Sequence, residues 1–294
     1  MKELFFPFSE VRKSQDKLMS GIYDCISDKK HTIIHAPTGM GKTAATLSPA
    51  LTYAFEKGLT VFFLTSRHTQ HRIAINTLRE IKRKYNLNFS ATSIIGRKNM
   101  CPVPGIEKLY NREFNEYCKT VRDDGKCEFY MNTKEKGKMS IQAKRAFDEL
   151  QKKAPSHIEE VLKESSRDRL CAYEIATALA EKSTVIVTDY FYIFNSHIRK
   201  IFLKKTNKEL SKLILIIDEG HNLSARMREL ATQRLTNVML KRAISEAKKL
   251  GYPEDIATIS KMQDALNKLS KTLSPGQEKL VRRDEFTREI EKIG

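Results

Sequence analysis

The eight residues Ala36-Pro37-Thr38-Gly39-Met40-Gly41-Lys42-Thr43 constrain this chain more than any other stretch. They follow a short apolar run, Thr32-Ile33-Ile34-His35, that reads as a strand. They precede a stretch from Lys42 to about Glu56 that reads as a helix. A glycine loop between strand and helix is a device for holding phosphate. Gly39 and Gly41 let the backbone curl so that its N–H groups face phosphate oxygens, and the helix N-terminus adds positive dipole. Ala36 stands where the common Gly-x4-Gly-Lys-Ser/Thr pattern has its first glycine. In that pattern Lys42 reaches the β- and γ-phosphates of a nucleotide such as ATP, and Thr43 ligates Mg²⁺. A chance glycine turn is the competing reading, and the flanking strand and helix argue against it.

The rest of the first half supports an α/β domain. Thr60–Leu64 reads as a second strand, His68 to about Tyr85 as a helix, and Ser90–Ile95 as a third strand. The rhythm resumes at Thr184–Val187 and at Leu213–Ile217. Such runs, rich in Val, Ile and Leu without alternation, suit a parallel sheet buried on both faces. Strands alternating with helices predict a doubly wound fold. From Gly96 to Cys171 the pattern breaks into a polar, loop-like segment with one helix near Ile141–Lys152, which reads as an insertion. After Leu223 only helical periodicity remains, over Leu235–Leu250 and Asp255–Leu273. Gly251 is a stop signal for the first and Pro253 a start signal for the second. The last residues lie in a charged, helix-forming stretch without a cap, which reads as truncation.

Charge narrows the partners. Lys and Arg number 53 against 36 Asp and Glu, a net charge of +17 over 294 residues. That excess suits a polyanion, whose phosphates release counterions when neutralised; a lysine-rich solvated surface is the plainer alternative. With no Trp, any base stacking falls to Tyr and Phe. The start, Met1 to Pro7, is too short an apolar run for a signal peptide, and Leu213–Ile217 is too short to span a bilayer. A soluble chain with no membrane partner is expected.

Leu215-Ile216-Ile217-Asp218-Glu219-Gly220-His221 is a buried-strand pattern ending in two acids. Asp218 is placed to hold Mg²⁺ and Glu219 to orient and deprotonate an attacking water, the division that phosphoryl transfer needs. Asp218-Glu219-Gly220-His221 resembles the DEAH box of superfamily 2 helicases, with Gly220 for the usual Ala and His221 completing the box. Arg12 and Gln15 lie about where such helicases carry an adenine-recognition glutamine. Thr65-Ser66-Arg67 follows the second strand, where that superfamily carries its first strand-binding motif. Hydroxyls and an arginine there suit phosphate contacts, and an ordinary helix cap is the alternative.

Five cysteines, an odd number, argue against a disulfide framework. Cys101, Cys118, Cys127 and Cys171 fall in the insertion or at its end, with no Cys-x-x-Cys pair, so a zinc ribbon is not the natural reading. Four thiolates can hold a [4Fe–4S] cluster; scattered structural cysteines are the other reading. The flanks Gly96-Arg97-Lys98-Asn99-Met100-Cys101 and Cys171-Ala172-Tyr173-Glu174 resemble the two ends of the iron–sulfur domain of the XPD helicase family. Thr188–Asn195 is also similar to that family. In the family a Pro usually follows the last cysteine, where this chain has Ala172. Cys25 lies outside the set and reads as a buried helix thiol.

The resemblance covers roughly residues 5–225. It implies a RecA-like motor domain (1–96 and 172–223), an iron–sulfur insertion (97–171) and the start of a helical arch (224–294). It implies an ATP-dependent 5′→3′ DNA helicase of DNA repair type that uses Mg²⁺ and loads on single-stranded or forked duplex DNA, a monomer with repair proteins as partners. Its location would be the cytoplasm or nucleoid in a prokaryote and the nucleus in a eukaryote. Tyr190 and Tyr192 would stack on bases or serve as core aromatics. A DinG-like iron–sulfur helicase and a non-motor ATP- and DNA-binding module are the alternatives.

Overall fold

The structure, a computed structural model, describes residues 3–291 apart from Thr38, Gln233 and Pro275. The chain divides into two compact units, 1–227 and 228–294. The first runs α1 (Lys13–Ser27), α2 (Lys42–Lys57), β1 (Thr60–Leu64), α3 (His68–Lys84) and β2 (Ala91–Ser93). It continues through α4 (Asn111–Asp123), α5 (Glu128–Thr133), a two-stranded ribbon of β3 (Lys134–Glu135) and β4 (Lys138–Met139), α6 (Ile141–Lys152), α7 (Ile158–Arg167) and α8 (Ala172–Lys182). β5 (Val185–Thr188), α9 (Phe191–Phe194), α10 (Ser196–Lys205) and β6 (Leu213–Ile217) complete its regular elements. Helix α11 (Leu223–Ala231) crosses the boundary between the units.

The main sheet has four parallel strands in the order β2-β5-β1-β6. Phe62 stands beside Ile186 on one side and Leu215 on the other. Period-two alternation sends β1 side chains into two cores. Val61 and Phe63, with Val185, Val187 and Ile214, meet Leu47, Leu51, Ile75, Leu78 and Ile81 of α2 and α3. Phe62, Leu64 and Ile186 meet Ala143, Leu150, Ile158, Val161, Ile175 and Leu179 of α6, α7 and α8. Both faces of β1 and β5 are thus covered, as parallel sheets require, but on β6, an edge strand, only Ile214 is buried, and Leu215 and Ile217 are exposed where a buried strand is expected.

Two expectations need correction. Thr32–His35 is not a strand: it has no ladder partner, and Ile33 is fully exposed. A strand there gains no burial for Ile33, so nothing offsets the entropy of ordering it. The segment after Gly96 is largely helical rather than loop-like. The one helix expected there, Ile141–Lys152, is α6, and charged residues mask the apolar spacing of Phe114 in α4 and of Ile158 and Val161 in α7. Ser140 caps α6 by accepting from the Ala143 N–H at 3.1 Å.

In the second unit α12 (Asn237–Leu250) packs on α13 (Pro253–Ser270), and α14 (Arg283–Glu291) follows. Gly251 ends α12 at φ 76°, a left-handed angle that glycine adopts without strain, and Pro253 opens α13. No helix among the described residues is long and apolar enough to cross a membrane.

Candidate functional site: a glycine loop, an acidic strand end and a cysteine cavity

The glycine loop has the left-handed glycines and the following helix that its sequence asks for, but not the preceding strand. Gly39 and Gly41 sit at φ 84° and 78°, and Lys42 opens α2 directly. Two side chains of the α1 region grip the loop. Gln15 Nε2 donates to the Met40 carbonyl at 2.5 Å, and Arg12 Nη1 donates to the Gly39 carbonyl at 3.1 Å. Gln15 Oε1 also accepts from the Arg12 backbone N–H at 3.1 Å, tying the pair together. Gly41 needs glycine for its left-handed φ; a Cβ there would also stand 2.7 Å from Gln15 Nε2, so the Gln15 amide would have to move off the Met40 carbonyl. Thr38 lies outside the described residues. Lys42 Nζ reaches back to the Ala36 carbonyl at 3.4 Å.

Asp218 ends β6 beside this loop. Its N–H donates to Leu64 O at 2.9 Å, which extends the ladder by one residue. Burial, then the Glu219 charge, raises the Asp218 pKa; Thr65 and Lys42 pull it back. The structure therefore brings Lys42 and Asp218, far apart in sequence, into one electrostatic neighbourhood. Asp218 Oδ2 is buried without a protein partner. An unpaired buried carboxylate oxygen is costly unless a cation takes it; the donor set fits Mg²⁺. Glu219 follows at φ 51°, a left-handed angle rare outside glycine, and its Oε2 lies 3.4 Å from His221 Nδ1.

The strand-end tyrosines differ from a stacking role. Tyr190 is wholly buried and its hydroxyl donates to the carbonyl of Asp218, with Glu219 O at 3.3 Å. Tyr192 is buried against Phe202, ring centroids 4.6 Å apart, and donates to Ile95 O at 2.8 Å. Neither ring offers a face to a base. Thr65 is likewise buried, with Thr65 N–H on Thr188 O at 2.9 Å; only Ser66 and Arg67 of that turn reach the surface. The role of Tyr190, orienting the acidic turn from below, had no signal in the sequence, because the contact joins two different strand ends.

Cys101, Cys118, Cys127 and Cys171 line a single cavity. Cys101 closes the short turn after Gly96, Cys118 lies within α4, and Cys171 caps the N-terminus of α8. Met100, Phe114, Phe129, Tyr130 and Tyr173 make the apolar walls. Desolvation pushes the Cys171 thiol up to about 12 and raises Cys101 also. The Val103 and Glu174 backbone N–H groups point at those two sulfurs and oppose the shift. Among the described residues, no three His, Cys, Asp or Glu side chains converge as on a single metal ion. The thiols stand instead around a shared space, and Arg97 Nε is buried there with no partner. That arrangement fits a multi-atom group with acceptor sulfurs better than one ion. Arg122, also in the lining, was missed by sequence reasoning; its place one helical turn after Cys118 was the available signal. Cys25 is half-buried on α1, away from the cavity lining.

A parallel sheet with a glycine loop and an acidic strand end at its C-terminal edge defines an α/β domain of the P-loop class. The chain belongs to the DEAD_2 family, whose model matches residues 63–240. It corresponds to the N-terminal region of XPD-family superfamily 2 helicases. It is 22% identical over 275 residues to the human regulator of telomere elongation helicase 1, covering 79% of this chain and 21% of that protein. It is 25% identical over 268 residues to the ATP-dependent DNA helicase XPD of Sulfolobus acidocaldarius, covering 91% of this chain and 42% of the relative. A probable ATP-dependent helicase of Methanocaldococcus jannaschii is 34% identical over 116 residues, 38% of this chain and 17% of its own length. The chain thus spans less than half the length of these relatives. A solved XPD helicase superposes with a TM-score of 0.58 at 20% identity, covering 97% of this chain and 47% of the other. A truncated XPD gives 0.56 at 20% identity, covering 96% and 75%.

Proposed function

We propose that this chain forms the first motor domain of an ATP-dependent 5′→3′ DNA helicase, with Mg-ATP held between the glycine loop and Asp218. The observation that carries the reading is Asp218 Oδ2, buried without a protein partner at the end of β6, where the Lys42 charge bears on its carboxyl. Backbone N–H groups of residues 39–43 bind phosphate oxygens, Lys42 neutralises the terminal phosphates, and Thr43 and Asp218 hold Mg²⁺. Glu219 orients and deprotonates the attacking water, and its left-handed backbone turns it out of the strand. Tyr190 fixes the acidic turn by hydrogen bonding to its carbonyls. Arg12 and Gln15 hold the loop's shape, which couples the nucleotide to α1.

The four cysteines would hold a [4Fe–4S] cluster, which supplies a redox-active centre bonded to α4, α8 and the turns between. Single-stranded or forked DNA meets the basic surface through Arg67 and Ser66, and 224–294 forms the beginning of an arch. Repair proteins as partners follow from the same reading. It is tested on this chain directly. Mg-ATP should bind, and Lys42→Ala should lose that binding. Single-stranded DNA should bind with an affinity that falls steeply as salt rises. Anaerobically purified protein should be brown with about four irons. Salt-independent DNA binding, or equal ATP binding by Lys42→Ala, would defeat the assignment.

A further inference from the structure

We infer that Arg97 and Arg122 set the charge balance of the cysteine cavity, and with it the reduction potential of the cluster it would hold. The inference rests on the cluster reading. Both guanidinium groups belong to the cavity wall. Arg97 lies 4.6 Å from the Tyr173 ring centroid, and its charge faces Cys118 and Glu174. Arg122 lies 5.3 Å from the Tyr130 ring centroid, and its Nε donates to the Cys118 carbonyl at 3.1 Å. Each is therefore fixed by an aromatic face on the cavity side rather than left to swing into water.

The charges decide what this does. Four thiolates around a cluster core of two positive charges leave two net negative charges in an aromatic-walled site. Two arginines offset those. The remaining acid in the lining, Glu174, is buried and has its own counter-ion, Lys205, at 2.9 Å. The oxidised site is thus close to neutral. Reduction adds one electron to the iron core, breaks no bond and needs no proton, and leaves one uncompensated negative charge. Removing an arginine makes that added charge harder to accept, whereas removing Glu174 makes it easier. Charge near a cluster is one of the levers that set its potential.

The test is a dithionite titration followed by visible absorbance and iron analysis, on wild type and five variants of the whole chain. Arg97→Gln and Arg122→Gln should each lower the reduced-to-oxidised ratio at a fixed poise by about tenfold, or about 59 mV for a one-electron couple. Glu174→Gln should shift it the other way. Arg112→Gln, on α4 but in an exposed pair with Glu116, should leave it unchanged. Arg122→Lys should restore the wild-type ratio by keeping the charge, an outcome that a purely packing role does not give. Full iron content with unmoved potentials in both Arg→Gln variants overturns the inference. If either of those loses iron, Glu174→Gln and Arg122→Lys still read the sign. Iron-free wild type overturns the cluster reading beneath it, and this is seen before any variant is compared.

Discussion

The glycine loop and the cysteine cavity both gather residues from distant parts of the chain, but by opposite means. At the sheet edge the main chain does the placing: two left-handed glycines, a ladder bond from Asp218 N–H to Leu64 O, and a left-handed Glu219. Around the cavity, side chains and helix termini do it, on α4, α5 and α8, of which α8 also packs into the sheet's core. The difference predicts separable responses. Damage at the edge should cost chemistry and spare the fold, whereas damage at the cavity should cost both.

The largest effect expected is at the edge. In a protein that carries the whole motor, Lys42→Ala should lower ATP turnover by about 10²-fold or more, with an unchanged thermal midpoint. Glu219→Gln should keep nucleotide binding and lose about 10²–10⁴ in turnover, because the base is gone while Asp218 remains. A large fall in thermal midpoint in either would erase the contrast. Next comes the cavity. Changing Cys101, Cys118, Cys127 or Cys171 to Ser should remove iron and lower the midpoint, whereas Cys25→Ser should do neither. A chain this size loses about 2–4 °C per kcal/mol of binding forgone. Iron analysis with calorimetry on the five variants decides it, and iron retained in any of the four breaks the assignment.

A third prediction probes what joins the regions. Helix α3 leaves the sheet edge and is clamped to the start of α7 by the pairs Arg72–Glu159 and Arg79–Glu160, and Arg79 Nε donates to Pro155 O at 2.9 Å. Near that clamp His71 is buried, its Nδ1 without a partner. Desolvation, then the neighbouring His68 and His157, lowers its pKa to about 4. The unfolded chain, titrating near 6.5, binds the proton first. Stability is full above pH 6.5 and falls as pH drops towards 4, by up to ~3 kcal/mol. Urea unfolding of His71→Gln should show a flatter pH dependence over that window; an identical slope would remove His71 from the account.

Smaller effects refine the edge. Tyr190→Phe keeps the ring but removes the hydrogen bond to the half-buried Asp218 carbonyl, at a cost of about 1 kcal/mol. A matching loss of turnover with unchanged ATP affinity would mark Tyr190 as orienting the acids rather than binding nucleotide. Gly220→Ala should be close to silent. Its added Cβ meets only Ile217 Cγ2, at 3.9 Å, and its φ is not left-handed, so a stability change beyond about 1 kcal/mol would contradict that geometry.

Legibility followed the same divide. Thr60–Leu64 and Leu213–Ile217 were readable to the residue, because unbroken apolar runs between polar stops admit little else. The loop glycines and the Asp218-Glu219 pair were readable because their chemistry is local. Thr32–His35 misled because an apolar run carries no record of whether a neighbour will cover it. Helix α6 was readable over Ile141–Lys152, whereas α4, α5 and α7 were masked by surface charge. The grip of Arg12 and Gln15 on the loop, the burial of Tyr190 and Tyr192, and the place of Arg122 in the cavity are all long-range, and spacing does not encode them.

The packing of α6 and α7 bears on protein engineering. A segment that interrupts a domain in sequence invites treatment as a cassette, to be cut out, swapped or moved to another scaffold. Here that would fail. Excising 97–171 and splicing the ends would also strip Ala143, Ala146, Leu150, Ile158 and Val161 from beneath Phe62 and Ile186. The remaining sheet would present one greasy face to water and would be expected to precipitate. Any workable graft must cut so that α6 and α7 stay with the sheet, and treat only the cysteine-bearing turn and α4 as exchangeable.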